Sequence, residues 1–340
     1  MAEFVVLEGD CRDHLKNLPD SAFDAIVTDP PYELVGRDGK GFNSTTWDCT
    51  GVAFSVLMWK ECLRVLKPGG FLLAFGATRR FHRLVCAIED AGFEIRDTVH
   101  WVYAQGMPKS QNVALMLDKY AKVQGDRGKR IMLGGGGGKA QQVDRYEPKT
   151  DLAKEFDGWG TTLRPTHELV CVARKECEGG NVHYWNKDGT DYGGVALNLV
   201  KHGIGGLRID ASRHDGRWPT NTVLGCACEG AHVEGCPVKV MDEEGGDGVF
   251  PVFKFHKKPS GKERTGHLTQ KPVDLMRWLV RLVVAPGSTV LDPFTGSGTT
   301  GVAAMREGCS FVGMEIDPKF VDVARGRMAA EGGDDVGQTD

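Results

Sequence analysis

No stretch of this chain reaches the length of an apolar membrane span. The opening Met1-Ala2-Glu3-Phe4 has no cationic segment leading into an apolar one. The reading therefore expects neither a membrane nor the secretory route, and it places the chain in the cytoplasm. An excess of basic charge is also missing: 42 Lys and Arg stand against 46 Asp and Glu, a net charge of −4. That excludes a chain that is basic all over, but not one with a local cationic face. The ten cysteines are scattered through the predicted elements and are read as reduced rather than paired. What remains is 340 residues, enough for one large core or a core plus a lobe.

Two short stretches stand out. Phe23–Thr28 is an apolar, β-branched run of strand length, and Asp29-Pro30-Pro31-Tyr32 follows it. In open α/β sheets, ligands bind at the C-terminal ends of strands. The prolines fix φ and remove backbone donors, which leaves the Pro30 carbonyl free to accept. With the Asp29 carboxylate and the flat face of Tyr32, this makes two acceptors beside a stacking ring. Such a set suits an amino group on a planar base. The plainer alternative is a strand-ending turn with a core tyrosine.

The second stretch begins with the strand-like Ser288–Leu291, followed by Asp292-Pro293-Phe294-Thr295-Gly296-Ser297-Gly298-Thr299-Thr300 and a helix-like segment. A glycine loop between strand and helix brings ligands close to backbone N–H groups. A second strand over 310–314 ends at Glu315-Ile316-Asp317, and an acid there typically binds ribose hydroxyls.

The pair D-P-P-Y and L-D-P-F-T-G-S-G-T-T resembles the signature of DNA methyltransferases acting on exocyclic amino groups. The catalytic motif comes first, as in the beta class of bacterial and phage modification enzymes. Thr269-Gln270-Lys271-Pro272 is similar to the family's K-P motif, and Gly9-Asp10-Cys11 to its acidic position near the adenine. The segments Trp101–Ser110 and Thr162–Glu168 are also similar to the family.

The resemblance implies a Rossmann-like S-adenosylmethionine-dependent fold, α/β, with a seven-stranded mostly parallel sheet and one antiparallel strand. It assigns Asp29, Pro30, Pro31 and Tyr32 to catalysis. To the cofactor it assigns Asp10, Lys271, Pro272, Asp292, Pro293, Phe294, Gly296, Ser297, Gly298, Thr299, Glu315 and Asp317. Candidate partners are double-stranded DNA, a second copy of the chain and a cognate restriction nuclease.

Along the chain, helix and strand alternate to about residue 124 and again over 271–330, the α/β pattern. Helices are predicted over Arg12–Leu18, Val52–Leu66, Arg79–Ala91 and Pro272–Val284, with Lys67-Pro68-Gly69-Gly70 as a stop. Leu169–Arg174 is expected as an antiparallel edge strand. The glycine-rich loop 33–50 reads as a functional cover. Residues 125–270 lack the alternation and contain a pentaglycine at 134–138, so they read as an inserted recognition region. The candidate DNA contacts there are Lys201, Arg208, Arg213, Arg217, Lys257, Lys258 and Lys262. Glu331–Asp340 is expected to be a disordered tail.

Cys226, Cys228, His232 and Cys236 have the right atoms for tetrahedral Zn²⁺, but C-x-C is tighter than the usual C-x₂₋₄-C. Free thiols are the favoured reading, and no metal is assigned to the reaction.

The function expected is methyl transfer to adenine N6 after base flipping, with no covalent enzyme intermediate. Family members with D-P-P-Y lean to adenine and those with S-P-P-Y to cytosine, so N4-cytosine transfer stays open. The letters G-S-G-T-T-G loosely fit a nicotinamide-dinucleotide loop, a reading that D-P-P-Y counts against. A DNA-binding protein with an idle methyltransferase fold is the remaining alternative.

Overall fold

The structure is a computed structural model. It describes residues 2–34, 39, 46–103, 110–123, 126–132, 141–179, 194–226, 228, 231–234, 236–246, 249–254 and 270–336. It divides into two units. The first comprises Met1–Trp101, Glu168–Val223 and Gly248–Asp340; the second comprises Val102–His167 and Leu224–Asp247.

The chain opens with β1 (Glu3–Glu8), α1 (Cys11–Asn17) and β2 (Phe23–Thr28). All six β2 residues are buried, as a central strand covered on both faces requires. Next come α2 (Val56–Val65), β3 (Leu66–Gly76), α3 (Phe81–Asp90) and β4 (Glu94–Tyr103). Helix α2 starts later than the periodicity suggested, because Ser55 caps it by accepting from the Met58 amide. The expected stop at 67–70 is part of β3. Gly69 adopts φ 75°, and the pairing with β2 jumps from Phe23–Leu66 to Ala25–Phe71. The two glycines are absorbed as an irregularity in the ladder.

After α4 (Val113–Tyr120) comes an antiparallel hairpin of β5 (Asp126–Met132) and β6 (Gln141–Glu147), then α5 (Asp151–Glu155). Asp118 ties this part of the second unit together. It accepts from the Thr150 hydroxyl (2.6 Å), the Lys149 and Thr150 amides and the Tyr146 hydroxyl. Burial works against its charge, but these donors outweigh burial and hold the carboxyl below its ordinary range. The pentaglycine lies outside the described residues.

The remaining elements are β7 (His167–Arg174), α6 (Val195–His202), β8 (Thr222–Cys226), α7 (Pro237–Met241), β9 (Val252–Lys254) and α8 (Val273–Val283). The closing run is β10 (Thr289–Asp292), α9 (Thr299–Arg306), β11 (Ser310–Glu315), α10 (Pro318–Ala329) and β12 (Asp334–Asp335).

The main sheet runs β12-β1-β11-β10-β2-β3-β7-β4-β8-β9. Strands β1, β11, β10, β2 and β3 are joined by parallel ladders, and β7 runs antiparallel to β3. The expected parallel run with an antiparallel strand is therefore present, but the sheet has ten strands among the described residues where seven were expected.

Three expectations need correction. Strand β7 is not an edge but lies between β3 and β4. Its run Val170–Ala173 is fully buried and needs cover on both faces. The interval 125–270 is not one excursion, because residues 168–223 belong to the first unit. There the buried Asn198 donates to the Pro68 and Ile204 carbonyls and accepts from the Glu178 amide. Nor is the tail loose up to residue 336: Asp334 and Asp335 pair with Glu3 and Phe4 of β1, and the Val336 amide donates to the Phe4 carbonyl. Gly333 lies so close to the Phe4 ring and Met305 that a Cβ would not fit.

Candidate active site

Strands β10 and β2 are neighbours although 264 residues separate Thr28 from Asp292, so the ends carrying the two motifs meet. The Thr28 hydroxyl donates to Asp292 Oδ1 at 2.6 Å, and the Phe294 amide donates to the same oxygen at 3.0 Å. Asp292 is 1 % exposed. Burial pushes its carboxyl up to about 6, against hydrogen bonds from Thr28, Thr300 and Phe294.

Beyond β2, Asp29 and Tyr32 form a quartet with Lys271 and Glu168. Lys271 Nζ donates to Asp29 Oδ2 at 2.5 Å and to the Tyr32 hydroxyl at 3.1 Å, and it lies 3.2 Å from Glu168 Oε2. The Tyr32 hydroxyl donates to that Glu168 oxygen at 2.7 Å. The ammonium also sits 4.9 Å from the centre of the Phe75 ring and 5.2 Å from that of Tyr32. Burial pushes the Asp29 carboxyl up, reinforced by Glu168 and opposed by Lys271. Burial would lower Lys271, but Asp29 and Glu168 outweigh it and hold the amine above its ordinary value. Asp29 Oδ1 is enclosed and has no hydrogen-bond partner among the described residues.

The chain after Tyr32 is held by a residue the motifs did not flag. Buried Asp48 accepts from the Glu33 amide at 2.7 Å and from the Leu34 amide at 3.3 Å, clasping the end of loop 33–50 to its beginning. Glu33 is left-handed at φ 54°, a sparsely populated conformation for a side-chain residue, directly after the D-P-P-Y motif. Most of 33–50 (35–38 and 40–45) lies outside the described residues.

The glycine loop takes its shape from Gly296 (φ 52°) and Gly298 (φ 78°). At Gly298 a Cβ would meet Ala324 of α10 at 2.8 Å. Ser297 and Thr299 are buried, and Arg327 braces them by donating to the Ser297 carbonyl (2.6 Å) and lying near both hydroxyls. Within 291–300 only Phe294 and Gly296 are not buried, and both are half-buried. Glu315 ends β11 and accepts from the amides of Gly296 (2.8 Å) and Asp317 (2.9 Å). Burial raises its carboxyl while those amides pull it back. Glu8 pairs with Glu315, which puts Asp10 at the same end of the sheet. Asp10 caps α1 and pairs with Arg12, which holds its carboxyl below the usual range. Asp317 caps α10 by accepting from the Lys319 amide.

Four of the seven proposed DNA contacts are among the described residues. Arg208 donates to the Val284 carbonyl (2.9 Å) behind α8. Arg213 holds Asp210 and the Gly216 carbonyl and lies over the Trp218 ring. Lys201, with His202, grips Glu178. Arg217 is exposed, and all four belong to the first unit. Lys257, Lys258 and Lys262 lie outside the described residues, as does Thr269 of the T-Q-K-P segment. Glu168 ends the Thr162–Glu168 segment, and its place against Tyr32 is a tertiary contact that no local pattern announces.

A DNA methylase family of N6/N4 methyltransferases matches residues 23–326. Among characterised proteins, the chain is similar to the type II methyltransferase M.HindIII of Haemophilus influenzae. The two are 25% identical over 276 residues, covering 80% of this chain and 67% of that protein. It is also similar to M.HinfI of Haemophilus influenzae, 24% identical over 337 residues, covering 95% and 67%. Among solved structures, the PvuII DNA methyltransferase, a cytosine-N4-specific enzyme, shares the fold at a TM-score of 0.50. It is 14% identical, and the match covers 96% of this chain and 86% of that one.

The Asp292 environment predicts a pH-dependent stability. The native state holds this proton up to about pH 6, against an ordinary 3.8. A gap of that size is of order 3 kcal/mol. Because the folded value is raised, the cost is absent below the unfolded value and complete above the folded one. Asp292→Asn keeps an acceptor for Thr28 and Phe294 and never ionises. Urea unfolding at pH 7.5 should show the variant more stable by about 1–3 kcal/mol, with the gain gone below about pH 4. Lower stability at pH 7.5 would contradict the assignment.

Proposed function

The chain belongs to the N6/N4 DNA methylase family, and from that premise we propose that it methylates the exocyclic N6 amino group of adenine in double-stranded DNA, using S-adenosylmethionine. The observation that carries transfer to an exocyclic amino group is Asp29 Oδ1, a buried acceptor with no partner among the described residues, while the choice of adenine rests on the D-P-P-Y motif. An unpaired buried acceptor costs about 1–3 kcal/mol, which a donor from a flipped base would relieve.

The quartet divides the work. Lys271 takes Asp29 Oδ2 and leaves Oδ1 for the amino group. The Pro30 carbonyl is the second acceptor. Two acceptors draw the amino hydrogens out of the ring plane and localise the nitrogen lone pair toward the methyl donor. Glu168 holds the Tyr32 hydroxyl, so the ring is fixed as a stacking face. The chemistry then rests on positioning and electrostatics, and no cysteine acts as a nucleophile.

The residues present fit the cofactor. S-adenosylmethionine supplies an electrophilic methyl group on a cationic sulfur. Glu315 has lone pairs beyond those its two amide donors occupy, suited to ribose hydroxyls. Phe294 and the Gly296 backbone present the loop, Asp292 and the buried loop residues shape the methionine end, and Asp10 lies toward the adenine. The acidic donor set suits a cationic ligand. The type II relatives are the reason to expect a cognate restriction nuclease.

Asp29→Ala should keep S-adenosylmethionine binding and lose methyl transfer by about 10²-fold or more. Glu315→Ala should weaken that binding about tenfold or more. Titration calorimetry and labelled-methyl transfer separate the two, and equal losses of binding would undo the division of roles.

We also propose that residues within 125–270 choose the DNA sequence, because this interval separates the two motifs and concentrates basic residues with aromatics. If Lys257, Lys258 and Lys262 meet phosphates, neutralising all three should flatten the log–log salt dependence of DNA binding by about 0.9 per contact. An unchanged slope removes them from the DNA face.

A further inference from the structure

The second unit contains a side-chain cluster that methyl transfer does not use. Strand β8 ends at Cys226 and α7 begins after Cys236. Between them the chain brings three sulfurs and one imidazole together. Cys226 Sγ lies 3.2 Å from His232 Nδ1 and 3.5 Å from Cys236 Sγ, and Cys236 Sγ lies 3.6 Å from the same nitrogen. With Cys228 included, the four donor atoms all lie within 4.8 Å of one another.

These distances have a simple geometric meaning. Four ligands at ordinary zinc bond lengths, about 2.3 Å to sulfur and 2.0 Å to nitrogen, form a tetrahedron with edges of about 3.5–3.8 Å. The Cys226–Cys236 separation is far longer than the ~2.05 Å of a disulfide, and both residues are free thiols. The tight C-x-C spacing argued against a metal in the sequence, yet it does not keep the two sulfurs apart. The Cys228 amide donates to Cys226 Sγ at 3.2 Å, which turns the chain back on itself and supports negative charge on that sulfur. Cys226 and Cys236 are buried, whereas His232 is exposed and Cys228 half-buried, which leaves an entry route.

We propose that Cys226, Cys228, His232 and Cys236 bind one structural Zn²⁺. Three thiolates and an imidazole nitrogen complete four-coordination, so no position is open for a substrate or water. The thiols bind deprotonated, and their protons pass to the buffer. The ion joins the end of β8 to the start of α7, a five-residue helix whose cap residue Cys236 makes no side-chain capping hydrogen bond. A metal clasp supplies what so short an element cannot get from its own hydrogen bonds.

The test uses the full chain, purified under reducing conditions without chelator. Elemental analysis should find about one zinc per chain, and cobalt substitution should give the visible bands of a tetrahedral thiolate site. Cys228→Ser should lose zinc to a competing chelator at least about tenfold more readily. Cys86→Ser, at an exposed thiol elsewhere, should retain it. His232→Cys should keep the ion and shift the cobalt bands toward a four-thiolate pattern, which a merely misfolded variant would not do. A wild-type chain that holds no zinc after loading and desalting overturns the proposal. So does equal zinc loss from Cys86→Ser and Cys228→Ser.

Discussion

One ammonium group sets the chemistry of this protein's motif-bearing strand end. Lys271 is 7 % exposed and has three donors, and it finds three oxygens: Asp29 Oδ2, the Tyr32 hydroxyl and Glu168 Oε2. Two carboxylates around one cation leave the cluster one charge short of neutral. Such a group is stable in a buried place only while the cation is present, since a lone buried carboxylate is costly. The same pairing decides which Asp29 oxygen remains available. The K-P segment, expected to lie along the cofactor, holds Asp29 and Tyr32 of the D-P-P-Y motif.

That cluster exists because of strand order. Inserting β10 between β11 and β2 aligns the C-terminal ends of three parallel strands. Asp29, Asp292 and Glu315 all sit on those ends. The Thr28–Asp292 hydrogen bond links the motif halves directly. Asp292 and Glu315 are both held at raised carboxyl values by burial. Acids kept in this state are a strain on the fold, and their grouping at one edge is the usual mark of a functional site.

Much of this was legible in the residues. D-P-P-Y after an apolar run, and D-P-F-T-G-S-G-T-T between strand and helix, located the two strand ends, because turn residues and periodicity act locally. Gly298 was readable as a loop glycine, though not as a point of close approach to Ala324 of α10. The failures concern what only tertiary contacts decide. Leu169–Arg174 has the same apolar run whether it lies inside a sheet or at its edge. Glu331–Val336 has the composition of a loose tail, yet backbone pairing with β1 does not depend on composition. Asp48 clasps Glu33 across a loop whose spacing gives no sign of it.

The proposed chemistry has Asp29 Oδ1, buried at the end of β2 and without a partner among the described residues, receive the amino group of a flipped base. The most direct measurement is mass analysis of nucleosides from unmethylated DNA incubated with the chain and isotopically labelled S-adenosylmethionine. The expected product carries the label on N6-methyladenine. Label on the carbon of a pyrimidine ring, or no label in DNA at all, would contradict it.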